Sequence, residues 1–127
     1  MRYITVDGGI YKVNLVYASL IRKFSIVEGD NSGQTIVGRQ RRDIIGTTYE
    51  YELAIEQDPD NPADYDALYE VLSSPVESHR VSFPYGQSTL TFDAMITDGQ
   101  DVYGGTCGGV ELWSGLKIHF SSIEPLR

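Results

Sequence analysis

Tyr49-Glu50-Tyr51-Glu52-Leu53-Ala54-Ile55-Glu56 is the stretch that decides the fold. Tyr49, Tyr51, Leu53 and Ile55 recur at every second position, with Glu50, Glu52 and Glu56 between them, which is the period of a strand with one dry face and one wet face. The predicted strand runs over residues 47–57. Like charges along its wet face repel unless cations lie opposite. Arg39, Arg41 and Arg42, a dense positive cluster just upstream, are the nearest candidates.

Working outward, residues 3–6 and 10–13 read as two strands around Asp7-Gly8-Gly9, since Asp-Gly accepts the positive φ angles of a tight hairpin. A further strand over 22–27 alternates Lys23, Ser25 and Val27 against Arg22, Phe24 and Ile26, and ends in a polar loop over 28–33. Downstream, Asn61 suits a helix cap and Pro62 the first helical position. Tyr65, Leu68, Tyr69 and Leu72 then follow the spacing of one buried stripe, so a helix is predicted over 62–72, ending at Ser73-Ser74-Pro75. Asp64 and Asp66 fall near the positive end of its dipole. A helix this short needs a sheet to lie on. A second hairpin is expected around Pro84-Tyr85-Gly86-Gln87-Ser88, with Leu90, Phe92, Ala94 and Ile96 as its inward row. A last strand over 110–121 turns Leu116, Ile118 and Phe120 inward, and the glycine-rich stretch 98–109 before it reads as a mobile loop. No linker, repeat or low-complexity tract divides the chain. The expectation is a single mainly β domain over 1–127: an antiparallel β-sandwich or partly closed barrel of about six or seven strands with one short helix.

Composition narrows the function classes. The 127 residues carry 18 acidic and 10 basic side chains, a net charge of -8, which repels phosphate backbones and anionic lipid, so neither nucleic acid nor membrane is an expected partner. The longest apolar stretch, 15–21, is far short of the roughly 20 residues of a bilayer span. Residues 1–7 are polar by the fifth position and do not resemble a secretory leader. The lone Cys107 leaves no partner for an intrachain disulfide and no cysteine-based zinc site.

Each reactive-looking group has a structural explanation. Tyr103-Gly104-Gly105-Thr106-Cys107-Gly108-Gly109 offers backbone N–H groups to an anion, but it lacks the Lys-Ser/Thr ending and the following helix of a phosphate loop. Cys107 with His79 or His119 would make a thiolate pair only if the fold brought them together. Asp58, Asp60, Asn61, Asp64 and Asp66 supply oxygens for calcium, but Pro62 and Ala63 break the EF-hand spacing and helix capping accounts for the rest. No catalytic, cofactor-binding or metal-binding residue is assigned. Tyr85, Tyr103 and Trp113 lie at or beside turns, where aromatic rings serve either a protein interface or a sugar platform. Together with Arg39, Arg41 and Arg42 they are the interface candidates.

Arg42-Asp43-Ile44-Ile45-Gly46-Thr47-Thr48-Tyr49, the helical stretch 62–75 and Phe83-Pro84-Tyr85-Gly86-Gln87 resemble small proteins of phage and prophage structural modules in Gram-positive bacteria. The resemblance runs from the first hairpin to the final strand and carries no catalytic residue. It implies a β fold with a flanking helix and a non-enzymatic virion component of the tail or baseplate, made in the bacterial cytoplasm. Such a component forms a homo-oligomer and meets other virion proteins through the 28–33 loop, the arginine cluster and the 98–109 loop. A carbohydrate-binding β-sandwich module using Tyr85, Tyr103 and Trp113 is the alternative.

Overall fold

The computed structural model of the chain describes residues 3–29, 33–34, 38 and 40–127, with the backbone alone at 33, 34, 40 and 41. In chain order these form β1 (Ile4–Val6), β2 (Gly9–Tyr11), β3 (Val13–Leu15), β4 (Ile21–Glu28), β5 (Gly33–Gln34), β6 (Gln40–Arg41) and β7 (Ile44–Gln57). The helix α1 (Pro62–Leu72) follows, then β8 (His79–Tyr85), β9 (Ser88–Met95), β10 (Gly99–Cys107) and β11 (Val110–Ser122). Seven strands pair antiparallel in the order β2-β1-β8-β9-β11-β7-β3. The two ends of that path, β2 and β3, are separated in the chain by Lys12 alone, so the sheet curls round into a nearly closed barrel. The expected second strand of the first hairpin therefore stops at Tyr11, and Val13 starts a new strand paired with Gln57. The Lys12 N–H, released from the ladder at this corner, donates to Asp64 Oδ2 on α1 at 2.8 Å, which ties the helix across the gap.

Alternation in β7 places Tyr49, Tyr51, Leu53 and Ile55 in the interior. The other inward rows meet them: Val81 and Phe83 from β8, Phe92 and Ala94 from β9, and Leu116, Ile118 and Phe120 from β11. An aromatic layer forms where Tyr51 stacks on Phe83 at 4.7 Å and Phe83 meets Phe120 at 5.0 Å. The helix closes the core with Tyr65, Leu68 and Leu72. Tyr69, expected in the same stripe, is 40% exposed, because α1 buries a narrow strip against the barrel and Tyr69 falls on its rim. Nor does the Asn61 side chain cap the helix; its amide donates to Asp58 Oδ2 at 3.1 Å and braces the preceding turn.

Two features depart further from the sequence reading. The 98–109 stretch is mostly strand, β10, paired with β11 from Gly99↔Ile118 to Cys107↔Val110. Its glycines are taken up by register shifts and by the Gly108-Gly109 turn, where both φ angles are positive, so a glycine-rich segment still forms a ladder. The acid row of β7 is met by Lys23, whose Nζ lies 2.9 Å from Glu52, and by His119, 3.5 Å from Glu50. Among the described residues, Arg42 instead pairs with Glu28 at the far end of β4, the strand that lies alongside β7. Arg39 and the Arg41 side chain lie outside the described residues.

The Asp7-Gly8 turn adopts φ values of 52° and 81°, as the sequence predicts for a two-residue hairpin. Asp7 also locks β1 to β8. Its carboxylate accepts from the Arg80 N–H at 2.9 Å and from His79 Nδ1 at 2.6 Å, which satisfies a buried imidazole. Partial burial works against the charged carboxyl, but these hydrogen bonds outweigh it and hold Asp7 below its ordinary value of 3.8. A depressed folded pKa gives stability that is present above the unfolded value and lost as pH falls through the folded one. Asp7→Asn, which tolerates the same backbone, is expected to cost about 1 kcal/mol at pH 7, the half-exposed carboxylate being screened by water. Urea melts should show that gap closing below pH 4, and a gap unchanged down to pH 3 would refute the lock. Phe83→Ala, which empties the aromatic layer, is expected to cost about 3–5 kcal/mol by the same melts.

Candidate functional site

β4 pairs with β7 over Ile21↔Glu52 to Glu28↔Ile44, and neither sheet gives its other edge a partner among the described residues. Cross-strand partners share a face, so Arg22, Phe24 and Ile26, opposite Tyr51, Tyr49 and Thr47, continue the barrel's interior face past its end. That continuation is bare: Phe24 is 69% exposed and Ile26 42%. Residues 125–127 cover the other edge of β7 here, the Thr47 N–H donating to the Arg127 carbonyl at 2.8 Å and the Leu126 N–H to the Thr47 carbonyl at 2.8 Å. Gly46 permits this approach, since a Cβ there would stand 2.5 Å from the Arg127 carbonyl oxygen.

The result is a cleft of about 670 Å³ floored by Tyr49 and Tyr85 and walled by Arg22, Phe24, Ile26 and Arg127. The two phenols share a hydrogen bond of 3.0 Å with their rings edge to face at 5.4 Å. The Arg22 guanidinium lies 5.5 Å over the Tyr85 ring, and Arg127 Nη1 donates to the Tyr49 hydroxyl at 3.3 Å. Hydrogen bonds from Tyr85 and Arg127 draw the Tyr49 phenol below its ordinary value of 10, and the same contacts raise Arg127. Among the described residues no Asp or Glu side chain lines the cleft. In a chain of net charge -8 that is a marked segregation of positive charge.

The predicted aromatic trio divides between two places. Tyr85 belongs to this cleft, whereas Tyr103 and Trp113 face one another at 5.1 Å across β10 and β11. The Tyr103 hydroxyl donates to Glu111. Trp113 also lines a second cleft of about 410 Å³ with Tyr65, Tyr69, Asp66, Glu70 and Asp101. There the Tyr65 hydroxyl donates to Asp101 at 2.8 Å, and burial followed by that contact pushes its ionisation well up. Sequence reasoning missed Arg22, Tyr49 and Arg127 as site residues; the cationic, apolar alternation of Arg22, Phe24 and Ile26 was the one signal available.

Cys107 is exposed beside the β10–β11 turn. His119 lies on β11 twelve positions further along the chain, and His79 is engaged with Asp7, so the fold does not bring the thiol to an imidazole. Among the described residues no three His, Cys, Asp or Glu side chains are grouped to hold a metal ion, and no helix is long and apolar enough to cross a membrane. Of the 28–33 loop, residues 30–32 lie outside the described residues. No family model matches the chain, and no curated protein matches it.

The phenol pair offers a direct check on the cleft's electrostatics. In absorbance titrations at 295 nm, the difference between the native protein and Tyr49→Phe should reveal a phenol ionising below pH 10. Arg127→Met should move that step upward. A Tyr49 step indifferent to Arg127 would mean that the contact does not form in solution.

Proposed function

We propose that this chain is a non-enzymatic assembly protein, a phage or prophage virion component of the tail or baseplate that works by packing against further copies of itself and neighbouring virion proteins. The observation that carries the reading is β4, an eight-residue strand whose second edge has no partner among the described residues and whose inner face leaves Phe24 and Ile26 bare. An unpaired edge beside exposed Phe24 and Ile26 is the kind of surface that strand addition or subunit packing covers. The resemblance over 42–49, 62–75 and 83–87 supplies the virion context. Sugar binding on Tyr85, Tyr103 and Trp113 is disfavoured because Tyr85 stands apart from the other two rings.

Light scattering over a concentration series, followed by negative-stain microscopy, tests the proposal. Self-association into rings, tubes or defined oligomers is the expected result, and Phe24→Asp should weaken it by about tenfold or more while leaving the thermal melt in place, since the ring it replaces is exposed. A protein that stays monomeric at every concentration, or one whose oligomers ignore Phe24→Asp, would count against β4 as the assembly surface.

A further inference from the structure

The two clefts are opposites in charge and alike in build. One sets Arg22 and Arg127 among Tyr49, Tyr85 and Phe24; the other sets Asp66, Glu70 and Asp101 among Tyr65, Tyr69 and Trp113. Among the described residues, no carboxylate lies within ion-pair distance of either arginine, and no cation within that distance of Asp66, Glu70 or Asp101. They occupy opposite ends of the same strand. Tyr49 floors the cationic cleft, while Gln57 Oε1 accepts from the Trp113 N–H at 3.1 Å beside the acidic one. Eight residues of extended strand, about 26 Å, separate those two positions. A single molecule therefore cannot close one cleft onto the other.

We infer that the cationic cleft of one copy receives the acidic, aromatic face of helix α1 from a second copy, so that the protein assembles head to tail. This rests on the assembly reading above and assigns its contact. Arg22 lies over Tyr85 with its guanidinium carbon 5.5 Å from the ring centre, and among the described residues no carboxylate pairs with it, so its N–H donors are available to a carboxylate from outside. Glu70 and Asp66 stand four residues apart on one side of the helix, spaced to meet two cations. Phe24, bare on β4, meets the half-exposed Tyr69 and the Trp113 ring, so apolar area is buried along with the charges. The contact joins unlike surfaces, so each subunit keeps one free end, and the assembly either closes into a ring or grows as a filament.

Two neutralised variants separate this contact from other modes of self-association. Arg22→Ala disables the cationic cleft and leaves the acidic face; Asp66→Asn with Glu70→Gln disables the acidic face and leaves the cleft. All three positions are exposed, and each variant's fold is checked by its thermal melt. In sedimentation velocity near physiological salt, each variant alone should associate at least about tenfold more weakly than the native chain. An equimolar mixture should form a one-to-one heterodimer and stop there, because each partner then has one working surface and both are used. Native oligomers with both variants associating normally would overturn the head-to-tail contact and leave the assembly reading standing. Loss of association in the variants without recovery in the mixture would show that a different surface occupies the cleft, which also overturns it. A native chain monomeric at all concentrations would overturn both.

Discussion

Register in β7 is the constraint on which the rest depends. Its side chains alternate tyrosine and aliphatic against glutamate, so a slip of one residue would drive Glu50, Glu52 and Glu56 into the barrel and turn Tyr49, Tyr51, Leu53 and Ile55 to water. Burying three carboxylates without partners costs far more than a small domain's whole stability. Both edges of the strand are used: β11 lies along 50–55 on one side, and β4 followed by β3 runs along the other. Once that register is set, it places Lys23 against the acid row, Arg22 beside Tyr51 and Phe24 beside Tyr49. The site is thus a consequence of the same alternation that makes the core.

Seven strands suffice to close the interior, and β4 is additional to them. It extends the inner face of β7 beyond the barrel's end, where no opposing sheet remains to cover it. Edge strands that must stay unpaired are blunted by charges, bulges or prolines. β4 carries such devices on its outer face and at its end, with Lys23 and the register shift between Val27 and Glu28. Its inner face has one cation, Arg22, and that cation lies over Tyr85 rather than guarding the edge. Folding alone does not require the Phe24 ring, which contributes little to the core at its exposure. A surface kept apolar without a folding purpose is best accounted for by what covers it.

Much of the architecture was legible in the sequence because it rests on local chemistry. The Asp7-Gly8 turn, the Pro84–Ser88 hairpin, the Pro62 helix start and the inward rows of β7, β9 and β11 each follow from a few neighbouring residues. β10 was not legible, since four glycines between Gly104 and Gly109 weigh toward a loop until a 13-residue partner strand takes up their freedom as bulges and a turn. Tyr69 was misplaced because helical periodicity marks a face but not how wide a strip the sheet will cover. The cleft was the least legible element. Arg22, Tyr49, Tyr85 and Arg127 are scattered across the chain, and only the pairing of β4 with β7, the β8–β9 hairpin and the return of residues 125–127 along β7 bring them together.

Charge then bears on how such a chain can meet a copy of itself. A net charge of -8 makes two molecules repel at long range, so any contact between them has to concentrate opposite charges locally. At physiological salt the Debye length is about 8 Å, which screens repulsion between surfaces far apart but leaves pairs at hydrogen-bond distance largely intact. The segregation of Arg22 and Arg127 at one end of β7, and of Asp66, Glu70 and Asp101 at the other, suits that regime. Side by side in parallel, two copies would bring like ends together and face repulsion at close quarters; end to end, each sign meets its opposite. In the head-to-tail contact proposed above, the polarity of β7, fixed by folding, sets the direction of assembly.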